Sequence, residues 1–410
     1  MMAMGTDMYE HSTPTTNPPG QSAAAAPASE FRQAVTLARD PTRAAQELYD
    51  GLVGPTTELV VLFCSSRHDF AALGAALKRR FAGIPVIGTT ASGEITPKGY
   101  IEGSIAGLAM TARDASVVSR RLDDLSGFRM QDGSTAAAAL VEELEAKSPG
   151  VSSENTFALL LIDSLRTGEE RVVAAIGAAL GGIPLIGGSA ADDRSFQHTH
   201  VFHDGAFRRD AAVITLIRTR HPFRTFSTHH FECGDAKAVI TAADPNRRLV
   251  FEINAEPAAR EYARLCGIHD RDINSDTFIR HPMLVKIGEN YYVRGIETVN
   301  DDGSLHFACA IDSGIVVTFG KPTDMYRELK ALFDDLKRDL GPLALVIGCD
   351  CWGRKYEMEQ MQLAGRISKL MMANNAIGFA TFGEQINSLH VNHSFTGIAL
   401  GSVARDGAPR

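Results

Sequence analysis

Ile84–Glu94 reads IPVIGTTASGE, and a near copy, IPLIGGSAADD, returns at Ile183–Asp193. The flanks repeat too: an apolar run, a helical pattern, a Gly-Ile-Pro, a short strand, then small and polar residues. A weaker third form, NAIGFATFGE, stands at Asn375–Glu384. This order describes repeated βαβ units whose strand ends open into small-residue loops. Open α/β sheets bind ligands beyond the carboxyl ends of their strands. A ligand site is therefore expected at those loops.

Around the first copy, Glu58–Cys64 (ELVVLFC) is a continuous apolar run, as in a strand covered on both faces. Ser65 or Ser66 is placed to cap a helix over His68–Phe81, where Phe70, Leu73, Leu77 and Phe81 share one face. Ile84–Gly88 is the next strand, followed by strands over Gly99–Met110 and Ala115–Arg121, the second at a sheet edge. Upstream, Asp40-Pro41 reads as an N-cap and a first-turn proline for a helix to about Leu52. The second copy sits in the same order: helix Ser134–Ala146, buried strand Thr156–Asp163, helix Glu169–Leu180, strand Ile183–Gly187. A hairpin over His200–Phe207 turns at Asp204-Gly205, and strand Ala211–Arg218 follows.

From Phe223 to Gly320 alternation takes over. Strands are expected at Phe223–Thr228, Ala238–Ala242, Arg248–Ile253, Met283–Ile287, Tyr291–Val299, Leu305–Ala310 and Ile315–Phe319, with one short helix at Pro257–Cys266. The amphipathic helix Pro322–Leu340 leads into the third unit: strand Ala344–Cys349, helix Lys355–Met372, strand Ala376–Thr381, and strands around Ser388–Val391 and Phe395–Gly401. The fold class is α/β, mixed α+β in the C-terminal half. Duplicated βαβ units form layered sheets with flanking helices in two domains, 31–221 and 222–403. The Thr-, Pro-, Ser- and Ala-rich segment 1–30 is expected to be a disordered tail, and 404–410 a second short tail.

Composition narrows the function. With 410 residues, 44% of them hydrophobic, the chain is long and apolar enough for a sizeable core. A net charge of −8 argues against nucleic acid and anionic membrane as partners. No apolar run approaches the roughly 20 residues of a membrane-spanning helix, and no leader pattern opens the chain. Six scattered cysteines fit reduced thiols and a cytoplasmic location.

The order of IPVIGTTASGEI, GYIEGSIAGLAM, IPLIGGSAADD, HPMLVKIG, YYVRGIETVNDDGSLHFACAIDSGI, GCDCWGR and FGEQINSLHVNHSFTGIALG resembles the FIST proteins. These combine a FIST N-terminal and a FIST C-terminal domain and act as bacterial intracellular sensory modules. The resemblance runs from about Phe31 to Val403. Within the family, THHFECGDAKAVITAADPNRR and GCDCWGR look most like the haem-binding, nitric-oxide-responsive branch that works with histidine kinases. It implies a sensor with no kinase segment of its own, which reports to a separate partner.

Candidate chemistry follows in that light. The loops Thr89–Gly93 and Gly187–Asp192 have glycines that let backbone approach a ligand. Thr89, Thr90, Ser92, Gly187, Ser189 and Asp192 are the candidate ligand-binding residues, together with Glu384 after FATFG. The rival reading of Asp192 and Asp193 is a turn and an N-cap. Haem b would need an axial ligand, most often histidine, so His229, His230 and His390 are alternative candidates for it. His229 and His230 are expected on one strand, facing opposite sides. His203 sits beside a hairpin turn. Cys349 and Cys351 would share a strand face, with Asp350 on the other; they read as a buried strand end rather than a metal pair. Ser65, Ser164 and Cys64 end strands, but none lies in a GxSxG elbow. No nucleophile–base set stands out, so the chain reads as a non-enzymatic sensor. Its ligand would be haem with nitric oxide, or alternatively a small polar metabolite such as an amino acid.

Overall fold

The computed structural model describes residues 31–163, 168–193 and 195–403. Both expected tails and Ser164 lie outside these residues. The first βαβ unit runs β1 (Arg32–Thr36), α1 (Pro41–Leu52), β2 (Thr57–Ser65), α2 (Phe70–Arg80), β3 (Val86–Ala91), the hairpin β4 (Glu94–Thr96) and β5 (Gly99–Ile101), and β6 (Ile105–Thr111). The second runs β7 (Ala115–Asp123), α3 (Met130–Lys147), β8 (Thr156–Ile162), α4 (Glu169–Ala179), β9 (Leu185–Ser189), the hairpin β10 (Val201–His203) and β11 (Ala206–Arg208), and β12 (Ala211–Thr219).

The third opens with β13 (Phe223–Thr228), and then the chain leaves to build a separate sheet. That sheet holds β14 (Phe231–Asp244), β15 (Leu249–Ile253) and β16 (Glu256–Pro257). After α5 (Ala258–Cys266) and α6 (Ser275–Arg280) come β17 (Met283–Ile287), β18 (Asn290–Arg294), β19 (Ile296–Val299), β20 (Leu305–Phe307) and β21 (Val316–Pro322). The third unit resumes with α7 (Met325–Leu340), β22 (Leu343–Cys351), α8 (Trp352–Gln360), α9 (Ala364–Ala373) and β23 (Ala376–Thr381). It ends with the hairpin β24 (Glu384–Ile386) and β25 (Leu389–Val391), and β26 (Phe395–Gly401).

Each unit makes a six-stranded sheet on one plan. Only the central pair is parallel: β2 with β3, β8 with β9, β22 with β23. The last two strands of every sheet come from a neighbour. Hairpin β4–β5 extends the third sheet beside β23, β24–β25 extends the second beside β9, and β10–β11 extends the first beside β3. The exchange closes a ring of three.

The repeated Ile-Gly of the opening motif has a steric cause. Gly88, Gly187 and Gly378 pair with Leu62, Leu160 and Gly348 of the neighbouring parallel strand. A Cβ at these glycines would stand 2.5, 2.1 and 1.8 Å from the carbonyl oxygens of those partners. Glycine lets the two backbones close up.

The apolar runs are explained by two covered faces. Val61 and Phe63, Leu159 and Leu161, and Ile347 and Cys349 meet in one central core between the sheets. The intervening Val60 and Leu62, Ala158 and Leu160, and Val346 face the outer helices.

Several expectations need correction. Asp69, not Ser65 or Ser66, caps α2, its carboxylate accepting the Ala72 N–H at 3.0 Å. The expected strand Gly99–Met110 breaks, because β5 crosses to the third sheet while β6 stays in the first. Likewise Tyr291–Val299 splits at Gly295 into β18 and β19, on opposite ends of the small sheet. Helix Lys355–Met372 breaks into α8 and α9 around Gln362, whose φ is +56°. The small sheet carries a second helix, α6, started by an Asn274–Thr277 capping box. His229 and His230 stand in the bend between β13 and β14, not on a strand. Among the described residues no helix is long and apolar enough to cross a membrane.

Candidate functional site

Beyond the carboxyl ends of β22 and β23 lies a cavity of about 520 Å³. Three separate parts of the chain wall it. The third unit gives Cys351, Trp352, Tyr356, Phe382, Asn392 and His393; the small sheet gives Phe278, Ile279, Pro282 and Ile296; the second unit gives Phe196. Phe196 reaches in because Asp192 builds its turn. The Asp192 carboxylate accepts the N–H groups of Phe196, Gln197 and His198 at 2.8–2.9 Å and the Ser195 hydroxyl at 2.6 Å. Phe196 stacks on Phe382 with centroids 4.4 Å apart and 16° between planes, and meets Trp352 edge-on at 6.1 Å. Trp352 in turn stacks on Tyr356 at 5.7 Å. The small sheet grips the other wall: Val293 bridges to Asn392, and Arg294 donates to the His390 carbonyl at 2.8 Å.

Behind the cavity runs a buried polar chain. Tyr100 donates its hydroxyl to Asp350. Arg354 donates to Asp350 at 2.8 Å and to Nδ1 of His230 at 3.1 Å. Nε2 of His230 is 2.8 Å from Oε2 of Glu357, and Nε2 of His393 is 3.2 Å from the same oxygen. Burial holds the His230 pKa down at about 4, so its ring is neutral near pH 7. Burial opposes charge on Glu357, but the hydrogen bonds from His230 and His393 outweigh it and keep its pKa at about 2. The ligating atoms of His230, Glu357 and His393 lie within 4.8 Å of one another, a spacing that suits a metal. The protons oppose that use. A guanidinium only donates, so Nδ1 of His230 accepts and Nε2 carries the ring hydrogen, 2.8 Å from Glu357 Oε2. A metal on Nε2 would drive that proton to Nδ1, against the Arg354 N–H.

The loop residues expected to bind ligand lie off the wall of this cavity. Thr89, Thr90, Gly187 and Ser189 are buried, and none lines the cavity. Thr90 accepts the His200 N–H on its hydroxyl at 3.0 Å, and Ser189 accepts from Gln385 at 2.9 Å. Both contacts hold an incoming hairpin, which fills the space the loops would otherwise leave open. Ser92 lines a different, polar recess with Arg67, Glu102, Asp193 and Glu359. Asp192 acts one step removed, through Phe196.

The three haem candidates have their rings engaged or enclosed. His229 has Nε2 3.0 Å from the Tyr291 carbonyl, and its Nδ1 accepts the Phe231 N–H at 3.3 Å. His230 is held as above. His390 has Nδ1 3.3 Å from the Gln385 amide, and a Cβ at Gly383 would stand 2.3 Å from its ring. His203 faces Ser119 at 3.1 Å. Among the described residues on the cavity wall there is no lysine or arginine to meet haem propionates, and its one histidine is His393. The residues present do not fit haem. Cys349 packs in the central core and Cys351 on the cavity wall, while Asp350 turns to Arg354 on the outer side.

Sequence reading missed His393, Asn392, Phe196 and α6. One signal was available: Trp352, the chain's one tryptophan, and Phe382 directly follow strand ends.

Glu94 and Glu384 form an equivalent pair. Each is fully buried, and one carboxylate oxygen accepts the N–H and hydroxyl of a serine ten residues on: Ser104 at 3.0 and 2.6 Å, Ser394 at 3.1 and 2.7 Å. Strand register places Glu94 opposite Phe379, Glu384 opposite Gly188, and Val201 opposite Thr89. The third counterpart is therefore Val201; Asp193, aligned by the motif, precedes extra residues ahead of β10. Burial raises the Glu94 pKa to about 8 and that of Glu384 well above its ordinary value. A carboxyl raised on folding holds its proton in the folded state only. Its stabilisation is complete below the ordinary value of 4.5 and is lost as pH rises through about 8. Stability should fall by about 1 kcal/mol per pH unit across that window from Glu94. Denaturation of Glu94→Gln between pH 5 and 8 should show a flatter slope than the parent; an unchanged slope would remove the assignment.

A preformed, mostly apolar cavity with a few convergent polar groups is the architecture of a small-molecule binding module. Residues 58–256 match the FIST N domain and residues 258–387 the FIST C domain. The chain belongs to the FIST family, whose domains are sensory and associated with signal transduction by small ligands. An uncharacterised protein of Methanocaldococcus jannaschii is 25% identical over 351 residues, which is 76% of this chain and 67% of that protein. A solved structure described as a cyanuric acid hydrolase, an "evolutionary innovation by structural concatenation", aligns at a TM-score of 0.33 and 10% identity. The alignment covers 90% of this chain and 99% of that one. That likeness is too distant to bear on function.

Proposed function

We propose that this chain is a haem-free sensor that binds a small molecule in the cavity between the third unit and the small sheet. The observation that carries this is the cavity itself: aromatic walls, no lysine or arginine among its described lining residues, and contributions from three separate parts of the chain. A ligand there touches the small sheet and two units of the ring at once. It favours the packing in which all three close on it, and a separate partner such as a histidine kinase reads that packing. An amino acid is a poor fit, because a zwitterion would leave its charges unmatched against apolar walls.

The test is a thermal-shift screen of the full chain with small molecules, repeated with Ala308→Trp to fill the cavity. Stabilisation of the parent by at least one compound, lost in the variant, is expected. Stabilisation that survives the variant would place the site elsewhere. A parallel haem titration should give no saturable Soret band; a saturable band that shifts with nitric oxide would overturn the haem-free reading.

A further inference from the structure

We infer that the cavity recognises an uncharged aromatic ring carrying an N–H or O–H donor, as in indole or a phenol, and that Nδ1 of His393 is the acceptor that reads the donor. This rests on the cavity being the ligand site and names the chemistry that the site selects.

The tautomer of His393 follows from what lies opposite its ring. Nε2 is 3.2 Å from Oε2 of Glu357. Glu357 is a carboxylate near pH 7 and can only accept, so Nε2 carries the hydrogen. In the neutral imidazole Nδ1 is then a lone pair. Among the described residues none donates a hydrogen bond to it. His393 is 6% exposed and lines the cavity, so that lone pair has little water and no protein partner. A buried acceptor left unmet is costly, and a donor on a bound ligand removes the cost.

Gly353 gives the acceptor its opening. It lines the same wall and lies in the first turn of α8. Its φ is not positive, so the backbone there does not call for glycine, and helices disfavour it. A Cβ at Gly353 would stand 3.2 Å from Nδ1 of His393, closer than to any other atom. The missing side chain is the one that would cover this nitrogen.

The rest of the wall sets the body of the ligand. Phe196, Phe382 and Trp352 present ring faces and edges that suit an aromatic ring. Asn392 supplies no second contact: its Oδ1 accepts the Gly295 N–H at 3.4 Å, and its Nδ2 is turned toward Gly383 and His390. Charge is disfavoured. The described lining residues include no lysine or arginine, and the acidic Glu297 is 2.9 Å from His306.

The probes are indole against N-methylindole, and naphthol against its methyl ether. Calorimetric titration of the full chain should show each unmethylated probe binding roughly tenfold tighter than its methylated form, because methylation leaves the His393 lone pair unmet. Gly353→Ala should bring that ratio close to one by covering Nδ1 while leaving the His393–Glu357 contact in place. His393→Ala should do the same by removing the acceptor. Melting temperature identifies a variant that fails to fold, and the methylation ratio on the parent needs no variant. Equal binding of the paired probes, tighter binding of the methylated ones, or a ratio unchanged in Gly353→Ala overturns the inference. If neither indole nor naphthol binds, yet another compound stabilises the parent and loses its effect in Ala308→Trp, the donor reading falls and the cavity reading stands. If indole binding survives Ala308→Trp, or no compound binds, both fall.

Discussion

Gly378→Ala should destabilise the chain by about 3 kcal/mol or more. The added methyl would stand 1.8 Å from the carbonyl oxygen of Gly348, a backbone atom that no rotamer change can move. Gly348 cannot retreat either: on its other side β22 is paired with β26, where Gly348 stands opposite Gly397. The parallel pair β22–β23 must therefore part, and β4, which hydrogen-bonds to the far side of β23, is displaced with it. Urea denaturation measures the loss. Gly365→Ala is the control, since nothing lies within 4 Å of a Cβ there and the site is in α9. That variant should be neutral or gain up to about 1 kcal/mol from helix propensity. A cost below about 1 kcal/mol at Gly378 would refute the steric account of the repeated Ile-Gly.

Arg354→Leu is the second large effect, at about 3–5 kcal/mol. Arg354 is 2% exposed and lies against Asp350, itself 2% exposed, with His230 on its other side. Removing the guanidinium leaves a buried carboxylate with Tyr100 as its remaining hydrogen-bond donor among these groups. It also frees His230 to exchange tautomers, which disconnects Glu357 from the order imposed by Arg354. Loss of one partner in a buried pair is costly because the other charge stays behind. The double variant Asp350→Asn/Arg354→Leu should recover part of the loss, and a double-mutant cycle by chemical denaturation reads the coupling. A single-variant cost below about 1 kcal/mol, or no recovery in the double, would show that the pair is not held as described.

Much of the fold was legible because it depends on neighbours along the chain. Asp40 accepts the Arg43 N–H at 2.7 Å as a helix cap should, with Pro41 in the first turn. Met283–Ile287, Ala376–Thr381 and Phe395–Gly401 start and stop where their composition indicates. The apolar runs at β2 and β8 announced strands buried on both faces, and the recurring Ile-Gly announced three comparable positions. The FIST N and FIST C domains were legible as an ordered set of short motifs.

The candidate site was much less legible. Thr90 and Ser189 carry the small and polar chemistry of a binding loop, yet their hydroxyls hold hairpins from another unit. Asp192 drew notice as a ligand residue and serves by shaping the Phe196 turn. His229 and His230 stood out as adjacent imidazoles, whereas His393, between β25 and β26, faces the cavity.

What the sequence determined by itself is the set of strands and helices, the repeat, and the family. Hydrophobic periodicity, capping and the steric need for glycine all act within a few residues or one strand neighbour. Tertiary structure alone decided which sheet each hairpin joins, because a hairpin's own turn and alternation do not name its partner edge. It also decided the cavity, whose walls come from residues 196, 275–308 and 351–393. It decided the protonation order that runs from Arg354 to His393 as well. A hydrogen's place on a ring is set by what lies across from each nitrogen, and for His230 that neighbour, Arg354, is more than one hundred residues away in the chain.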